Sequence, residues 1–383
     1  MKHSGQPKRV AVNARLLLKD RLEGIGIYTH EILKRLCRNH PEIEFHFLFD
    51  RPFDPSFLYA PNCIGHIIPP PTRHPLLWDF WLRLSLPLFL KNKKWDAFLS
   101  LDGFALPKGI IPQIIAIHDL NFEHRPQDLP PQVARYYRKR FPVFARQAEA
   151  VLTVSHFSRQ DLIQQYQLPE SKVTVAENAL PEWSVSREAS AQAREKLMAL
   201  TRGEKFFLYV GAIHPRKNLE MLLLAFEQVR QQHEQEVHLV IAGGVSRFYR
   251  PQWQLALSAT DKAFVHYAGR ISEAEKAQWL SASTALVYPS LYEGFGIPLL
   301  EAWNAGTAVI CSSVTALPEV AGDAALLINP LDQKSVEAAM LRILSEQSLR
   351  ENLKAKGKER LAHYSWDRSV EKVEKVLHQI LYS

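Results

Sequence analysis

Short apolar runs recur along the chain, each followed by a break rich in Gly, Pro or polar residues and then by apolar positions at three- and four-residue spacing. In the first half the runs are Val10–Asn13, Phe45–Phe49, Ala97–Ser100, Ile114–Ile117, Val151–Val154 and Val173–Val175. In the second they are Phe206–Val210, His238–Ala242, Phe264–Tyr267, Thr284–Tyr288, Ala308–Ile310 and Leu326–Ile328. Such runs predict buried strands, and the spaced positions between them predict helices. Tyr28, Ile32 and Leu36 lie four apart, while Leu219, Leu222, Leu223, Phe226 and Val229 share one helical face. Ser272 and Glu275 have capping-box spacing before a helix through Trp279 and Leu280. Arg135–Arg146 reads as a basic amphipathic helix with Pro142 inside it, and Val370, Val373, Leu377 and Ile380 give the last helix an apolar face. Two stretches break the rhythm. Pro52–Pro75 reads as irregular, because the Pro69–Pro71 cluster forbids a long helix. Leu180–Gly203 reads as a linker plus a polar helix, and the tail after the last strand as two helices. The pattern predicts an α/β protein of two doubly wound Rossmann-like domains, residues 1–185 and 186–365, with a final helix at 366–383.

Composition narrows this picture. At 383 residues the chain exceeds one ordinary core, which agrees with two domains. The net charge of +7 admits nucleic acid, an anionic membrane surface or small anionic substrates as partners, but no Lys/Arg block is long enough to select nucleic acid. Cys37, Cys63 and Cys311 are scattered and odd in number, which excludes a disulfide framework and a cysteine-based zinc site and fits a reducing compartment. The stretch MKHSGQPKRVAVNAR has no apolar core before its first strand, so it does not read as a signal peptide, and a cytoplasmic location is expected. Pro75–Leu90, PLLWDFWLRLSLPLFL, is too short to span a bilayer and is interrupted by Asp79, Arg83 and Pro87. Two readings stand. It is a buried helix of the first domain, or it is an apolar surface that rests on a bilayer or receives a greasy acceptor. In the second case Trp78, Trp81, Phe89 and Trp95 would meet lipid, with Lys91, Lys93 and Lys94 beside them.

The candidate chemistry gathers where strands end. YPSLYEGFGIPLLE, Tyr288–Glu301, joins a strand to a helix through Pro289, Gly294 and Gly296, with Glu293 and Glu301 bracketing the break. In a doubly wound fold that is crevice geometry, where helix-start N–H groups can meet an anion. Gly211, Gly243, Gly244 and Arg270 follow other strands, and Arg216 and Lys217 sit together in a loop before a helix. A rigid guanidinium fork beside a point charge suits a diphosphate. In the first half, Gly24 and Gly26 follow the first strand, and His118 and Asp119 follow Ile114–Ile117. GIG lacks the third glycine of the dinucleotide fingerprint, so a nicotinamide cofactor is not expected. No His/Cys cluster or Asp-x-Asp pair asks for a metal, and no cofactor is expected. Each feature also has a structural reading: glycines that serve tight turns, a solvated basic loop, a core histidine. Together they point to transfer of a group from a nucleotide diphosphate carrier, where fixed cations stabilise the leaving diphosphate.

These residues resemble the large retaining glycosyltransferase family of the GT-B fold that includes bacterial mannosyltransferases, glucosyltransferases and relatives of sucrose synthase and glycogen synthase. Its Glu-x7-Glu element matches Glu293 to Glu301 in EGFGIPLLE, with Gly294, Phe295 and Gly296 between. GAIHPRKNLE, AIHDLNF, SHFSRQDL, ENAL and PEVAGDAALLINP also match, although Ala179 stands where many relatives have glycine. The resemblance implies that the second domain binds the donor, that Glu293 meets the sugar and Glu301 the ribose, and that Arg216 and Lys217 embrace the diphosphate. It implies that His118 orients the sugar, that Gly24 and Gly26 form the first domain's glycine loop, and that the last helix crosses back onto the first domain. It further implies front-face substitution with retention. HDLNFEHRPQDLP is similar to mannosyltransferases of O-antigen and other surface polysaccharides, which points to GDP-mannose and to a glycan or lipid-linked acceptor at the cytoplasmic membrane face. The alternatives are a nucleotide-sugar 2-epimerase or hydrolase on the same fold, or a non-catalytic sugar-binding protein.

Overall fold

A computed structural model describes residues 7–19, 22–72, 74–91, 94–181, 187–246 and 248–382, with no side chains at 187–189. Lys93 and part of the expected linker therefore lie outside the described residues. The chain divides into two compact units, residues 1–181 with 365–383, and residues 182–364.

The first unit holds seven parallel strands: β1 (Lys8–Asn13), β2 (Ile43–Phe49), β3 (Cys63–Ile67), β4 (Ala97–Ser100), β5 (Gln113–Ala116), β6 (Ala150–Thr153) and β7 (Val173–Val175). Their order is β3-β2-β1-β4-β5-β6-β7, so the winding reverses between β1 and β4. Val10, Ala11 and Val12 of β1 are fully buried beside Ala97, Phe98 and Leu99 of β4. The second unit repeats the plan with β8 (Lys205–Val210), β9 (Val237–Ala242), β10 (Val265–Gly269), β11 (Ala285–Tyr288), β12 (Val309–Ser312) and β13 (Leu326–Ile328). Its order is β10-β9-β8-β11-β12-β13, reversing between β8 and β11. In such sheets the strand ends beside the reversal form the ligand crevice of the unit.

Local detail departs from the sequence pattern in four places. The stretch 52–75 is not wholly irregular. It contains the edge strand β3, CIGHI, whose Gly65 and His66 interrupt the apolar run that would have signalled it. Pro75–Leu90 is helical throughout, with a π turn over Trp81–Ser85. The tail holds three helices rather than two, Gln333–Ser345, Gln347–Leu361 and Trp366–Tyr382, because Glu346 leaves helical geometry between the first pair. Ile380 is half-buried, and the buried stripe of the last helix runs through Ser369, Val370, Val373, Val376, Leu377 and Leu381.

That last helix crosses back onto the first unit. Trp366 Nε1 donates to the Leu180 carbonyl at 2.9 Å, and Ser369 Oγ to the Glu177 carbonyl at 2.6 Å. Lys372 Nζ meets the Glu177 carboxylate at 2.9 Å. The Gly24–Asn39 helix adds Arg35 Nε to Asp367 at 3.0 Å and Asn39 Nδ2 to Glu374 at 2.8 Å. The ENAL segment thus holds the end of the chain through its backbone oxygens and the Glu177 carboxylate.

Candidate active site

In the second unit the strand ends flanking the reversal bring three sequence-predicted groups together, Arg216, Lys217 and Glu293. β11 ends at Tyr288, and the chain then turns through Glu293 into the Ile297–Asn304 helix. β8 ends at Val210 and leads to a short 3-10 turn, Pro215–Lys217. Asn218, in left-handed backbone at φ 59, closes that turn and donates through Nδ2 to the Pro330 carbonyl at 2.7 Å. The two turns meet. Lys217 Nζ donates to Glu293 Oε1 at 2.5 Å, and Arg216 Nη1 lies 2.8 Å from Glu293 Oε2 and 2.8 Å from the Tyr292 carbonyl. Lys217 also donates to the Tyr288 hydroxyl.

The side chains of Lys217 and Glu293 are 7% and 8% exposed, so the basic loop is a buried ion cluster and not a solvated one. Burial alone would raise the Glu293 carboxyl, but the Arg216 and Lys217 cations outweigh it and hold it down at about 2. Burial drives the Tyr288 phenol well above its ordinary value, and the neighbouring Glu293 charge adds to this, so the hydroxyl stays protonated.

Glu301, on the helix that follows, is mostly buried against Lys276, whose Nζ donates to Glu301 Oε1 at 2.6 Å and meets Glu273 at 2.7 Å. Burial pushes the Glu301 carboxyl up, and Lys276 opposes that. Lys276 lies in the Glu273–Ala282 helix, which opens with the expected capping box: Glu275 N donates to Ser272 Oγ, and Ser272 N to Glu275 Oε2. Arg216, Lys217 and Glu293 form one contact cluster; Glu301 pairs with Lys276 instead.

Two glycines are required by the close approach of backbone here. A Cβ on Gly243 would sit 1.8 Å from the Gly211 carbonyl oxygen, so β8 and β9 can end side by side only without it. Gly296 caps the Ile297–Asn304 helix at φ +114, and a Cβ there would meet Leu317 at 2.7 Å. A Cβ on Gly244 would meet Arg270 Nε at 2.7 Å, which places that guanidinium against the end of β9. Gly294 and Phe295 are buried, and the Phe295 ring packs edge-on against Tyr364 at 5.3 Å.

In the first unit His118 follows β5. Its Nε2 lies 2.9 Å from the Leu101 carbonyl, and a carbonyl can only accept, so Nε2 carries the proton and Nδ1 is the acceptor of the neutral ring. Burial lowers the imidazole's proton affinity, with the Leu101 contact opposing, which favours that neutral ring. Tyr28 packs edge-on against His118 at 4.8 Å. The glycine loop is shorter than expected, because helix begins at Gly24 itself. At Gly26 a Cβ would meet the Leu16 carbonyl at 3.1 Å, whereas at Gly24 it would meet nothing within 4 Å.

Sequence reasoning missed Tyr288, Lys276 and a buried network beside β1. In that network Asn13 Nδ2 donates to Asp102 Oδ1 at 2.8 Å and to Ser100 Oγ at 3.0 Å, while Arg15 Nε meets Asp102 Oδ2 at 2.5 Å. The Arg15 guanidinium lies 4.0 Å from the centre of the Phe104 ring. For Tyr288 and the network beside β1 the signal was a polar residue at or just past the end of a buried strand, as for His118; Lys276, inside a helix, gave no such signal. Among the described residues no group of three or more His, Cys, Asp or Glu is placed to hold a metal ion.

Fixed cations beside a buried carboxylate at strand ends can stabilise an anionic leaving group. Residues 22–181 match the model of Glycosyltransferase Family 4, and residues 194–360 that of Glycosyl transferases group 1. The chain is 30% identical over 366 residues to O-antigen chain mannosyltransferase B of Escherichia coli, covering 91% of this chain and 94% of that protein. The chain belongs to these glycosyltransferases. O-antigen chain mannosyltransferase RfbU of Salmonella typhimurium is 29% identical, over 74% of this chain and 75% of its own. WaaG, a glycosyltransferase involved in lipopolysaccharide biosynthesis, superposes with a TM-score of 0.74 over 98% of this chain and 100% of its own, at 15% identity. Anabaena Alr3699/HepE, solved with UDP and glucose, superposes with a TM-score of 0.72 over 97% of this chain and 99% of its own, at 13% identity. The glycosyltransferase therefore has the GT-B fold expected of it.

Proposed function

We propose that this glycosyltransferase moves mannose from GDP-mannose to a glycan or lipid-linked acceptor with retention of the anomeric configuration. The observation that carries the transfer is the Arg216–Lys217–Glu293 cluster at the reversal of the second sheet. Mannose and the polysaccharide acceptor rest on the relatives named above. Arg216 and Lys217 take the diphosphate, Glu293 the sugar hydroxyls and Glu301 the ribose. Arg270, beside Gly243 and Gly244, lines the nucleotide side, and Gly211 lets the diphosphate approach the backbone. In the first unit His118 Nδ1 accepts from the sugar, and Gly24 and Gly26 admit the donor closely.

The bond from the anomeric carbon to the diphosphate oxygen breaks as the bond to the acceptor oxygen forms on the same face. The acceptor's proton passes to the leaving phosphate oxygen, and GDP departs. Both carboxylate oxygens of Glu293 are held by cations, which supports a binding role over a nucleophilic one. A cytoplasmic protein that meets its acceptor at the membrane face fits this reading. Among the described residues no helix is long and apolar enough to cross a membrane.

A screen of nucleotide sugars by thermal shift, followed by analysis of the product's anomeric configuration, tests the proposal. Stabilisation by GDP-mannose and an α-linked product support it. An inverted product, or release of epimer or free sugar without acceptor, overturns it, and the last outcome favours the epimerase or hydrolase reading. The roles also separate by residue. Glu301→Ala is expected to weaken GDP binding about tenfold or more, the worth of a charged hydrogen bond of about 1.5–3 kcal/mol. Lys276→Ala is expected to weaken it in the same direction, by freeing the Glu301 carboxylate from its hold. Calorimetry with GDP alone measures both; unchanged affinity in both variants removes Glu301 from the ribose site.

A further inference from the structure

The helix Pro75–Leu90 packs one face into the first unit and leaves another exposed. Trp81 is fully buried, and Trp78, Phe89 and Trp95 pack on the first unit's core, so the aromatics do not form a lipid boundary. Their indoles are committed to the protein: Trp81 Nε1 donates to Ile68 at 2.7 Å, Trp78 Nε1 to Thr72 at 3.0 Å and Trp95 Nε1 to Leu90 at 3.1 Å. The opposite face carries Leu76, Phe80, Leu84 and Leu88, exposed by 75%, 48%, 44% and 62%.

These four follow one another at intervals of four. In a plain α-helix each such interval overshoots one turn by about 40°, so four residues would wind around the axis. Here the Leu86 amide bonds back to the Trp81 carbonyl, five residues earlier, and the π turn over Trp81–Ser85 underwinds the helix between them. The overshoot is partly cancelled, and the four apolar side chains stay on one ridge.

The ridge lies beside strong positive charge. The Pro131–Gln147 helix packs against the Pro75–Leu90 helix beside the ridge, with Arg140 and Tyr136 bonded to Asp79 and Trp78 stacked on Tyr137 at 5.7 Å. This helix contains Arg135, Arg138, Lys139, Arg140 and Arg146 and no acidic residue, and it exposes Arg135, Lys139 and Val143. Arg83, Lys91 and Lys94 are exposed on or just after the ridge helix, and its one acid, Asp79, is engaged by Arg140 and by Arg83 at 3.5 Å.

We propose that the Leu76–Phe80–Leu84–Leu88 ridge, with the basic helix beside it, docks the first unit onto an anionic lipid bilayer. Charge complementarity selects this occupant. The four side chains enter the acyl boundary while the cations stay at the level of the head groups. A second copy of the chain would bring the same cations face to face across a two-fold contact. The inference gives a surface to the membrane-face location proposed above, but it does not depend on the identity of donor or acceptor.

Sedimentation of the full-length protein with vesicles tests it. Binding is expected to vesicles containing phosphatidylglycerol, to fall steeply with added sodium chloride, and to be weak on phosphatidylcholine alone. Changing Leu76, Phe80, Leu84 and Leu88 together to Ser should lower partitioning about a hundredfold while the protein still melts cooperatively, because each of the four is at least 44% exposed. Arg135→Glu with Lys139→Glu should lower it about 25-fold or more, at roughly fivefold per cation removed. Absence of wild-type binding at low salt, equal binding to both vesicle types, or full binding by the Ser variant overturns the proposal. So does a ridge-dependent dimer in sedimentation velocity without vesicle binding. GDP-mannose transfer can fail while vesicle binding stands, and the reverse, so the two readings are judged separately.

Discussion

Glu293→Gln is expected to lower the melting temperature of the second unit and to abolish transfer, yet to leave GDP binding intact or tighter. The reasoning is electrostatic. The carboxylate is the shared counter-ion of Arg216 and Lys217, at 2.8 and 2.5 Å, and the Lys217 side chain is 7% exposed. A neutral amide keeps one acceptor and turns the other position into a donor facing a cation, so both cations lose their counter-charge. Breaking a buried pair this way costs about 3–5 kcal/mol. For a unit of this size that is a fall of about 6–20 °C. A diphosphate supplies the missing negative charge, so GDP should raise the variant's melting temperature by more than it raises the parent's. Transfer should still fail, because the sugar has lost its acceptor. Calorimetric scans with and without GDP, beside a turnover assay, read all three effects. An unchanged melting temperature would show that the cluster contributes no stability, and weaker GDP binding than in the parent would show that Glu293 holds the nucleotide and not the sugar.

The same cluster shows what was legible in the sequence. EGFGIPLLE and HPRKN each announced a strand-to-helix break with charged residues, because Gly and Pro mark such breaks whatever surrounds them. The sheets were legible for a related reason: parallel strands buried on both faces need unbroken apolar runs, and those can be read without knowing their partners. Pairing between distant breaks was not legible. That Lys217 reaches Glu293 and Tyr288 depends on β8 lying beside β11, and that Lys276 reaches Glu301 depends on the Glu273–Ala282 helix packing on the Ile297–Asn304 helix, adjacencies that do not appear in local composition. The edge strand β3 was missed because Gly65 and His66 break its five residues into apolar fragments too short to announce a strand. In the helix 75–90 the sequence could not say which residues faced inward, since nearly every position is apolar. The π turn then displaced the faces from where a regular period would put them.

The last helix gives the other large effect. Ending the chain after Ser369 should abolish cooperative folding of the first unit while the second continues to bind GDP. Truncation removes Val370, Val373, Val376, Leu377 and Leu381, each no more than 7% exposed. Burial of such side chains contributes about 1.5–3 kcal/mol apiece, so their loss totals about 7–15 kcal/mol as an upper bound. That matches the whole stability of an ordinary domain, about 5–15 kcal/mol. It also uncovers the Gly24–Asn39 helix, whose Asn39 loses Glu374, and it removes Lys372 from Glu177. Residues 182–364 form a compact unit without these contacts, so their unfolding transition should persist. Leu377→Ala is the milder companion: a cavity costing about 2–5 kcal/mol should lower the first unit's transition by about 4–20 °C without changing GDP affinity. Calorimetry should then show two separated transitions, with dye binding to exposed apolar surface tracking the lower one. A truncated protein that melts and turns over like its parent would mean that the helix covers the first unit without holding it together, and that the tie from Lys372 to Glu177 is incidental to its stability.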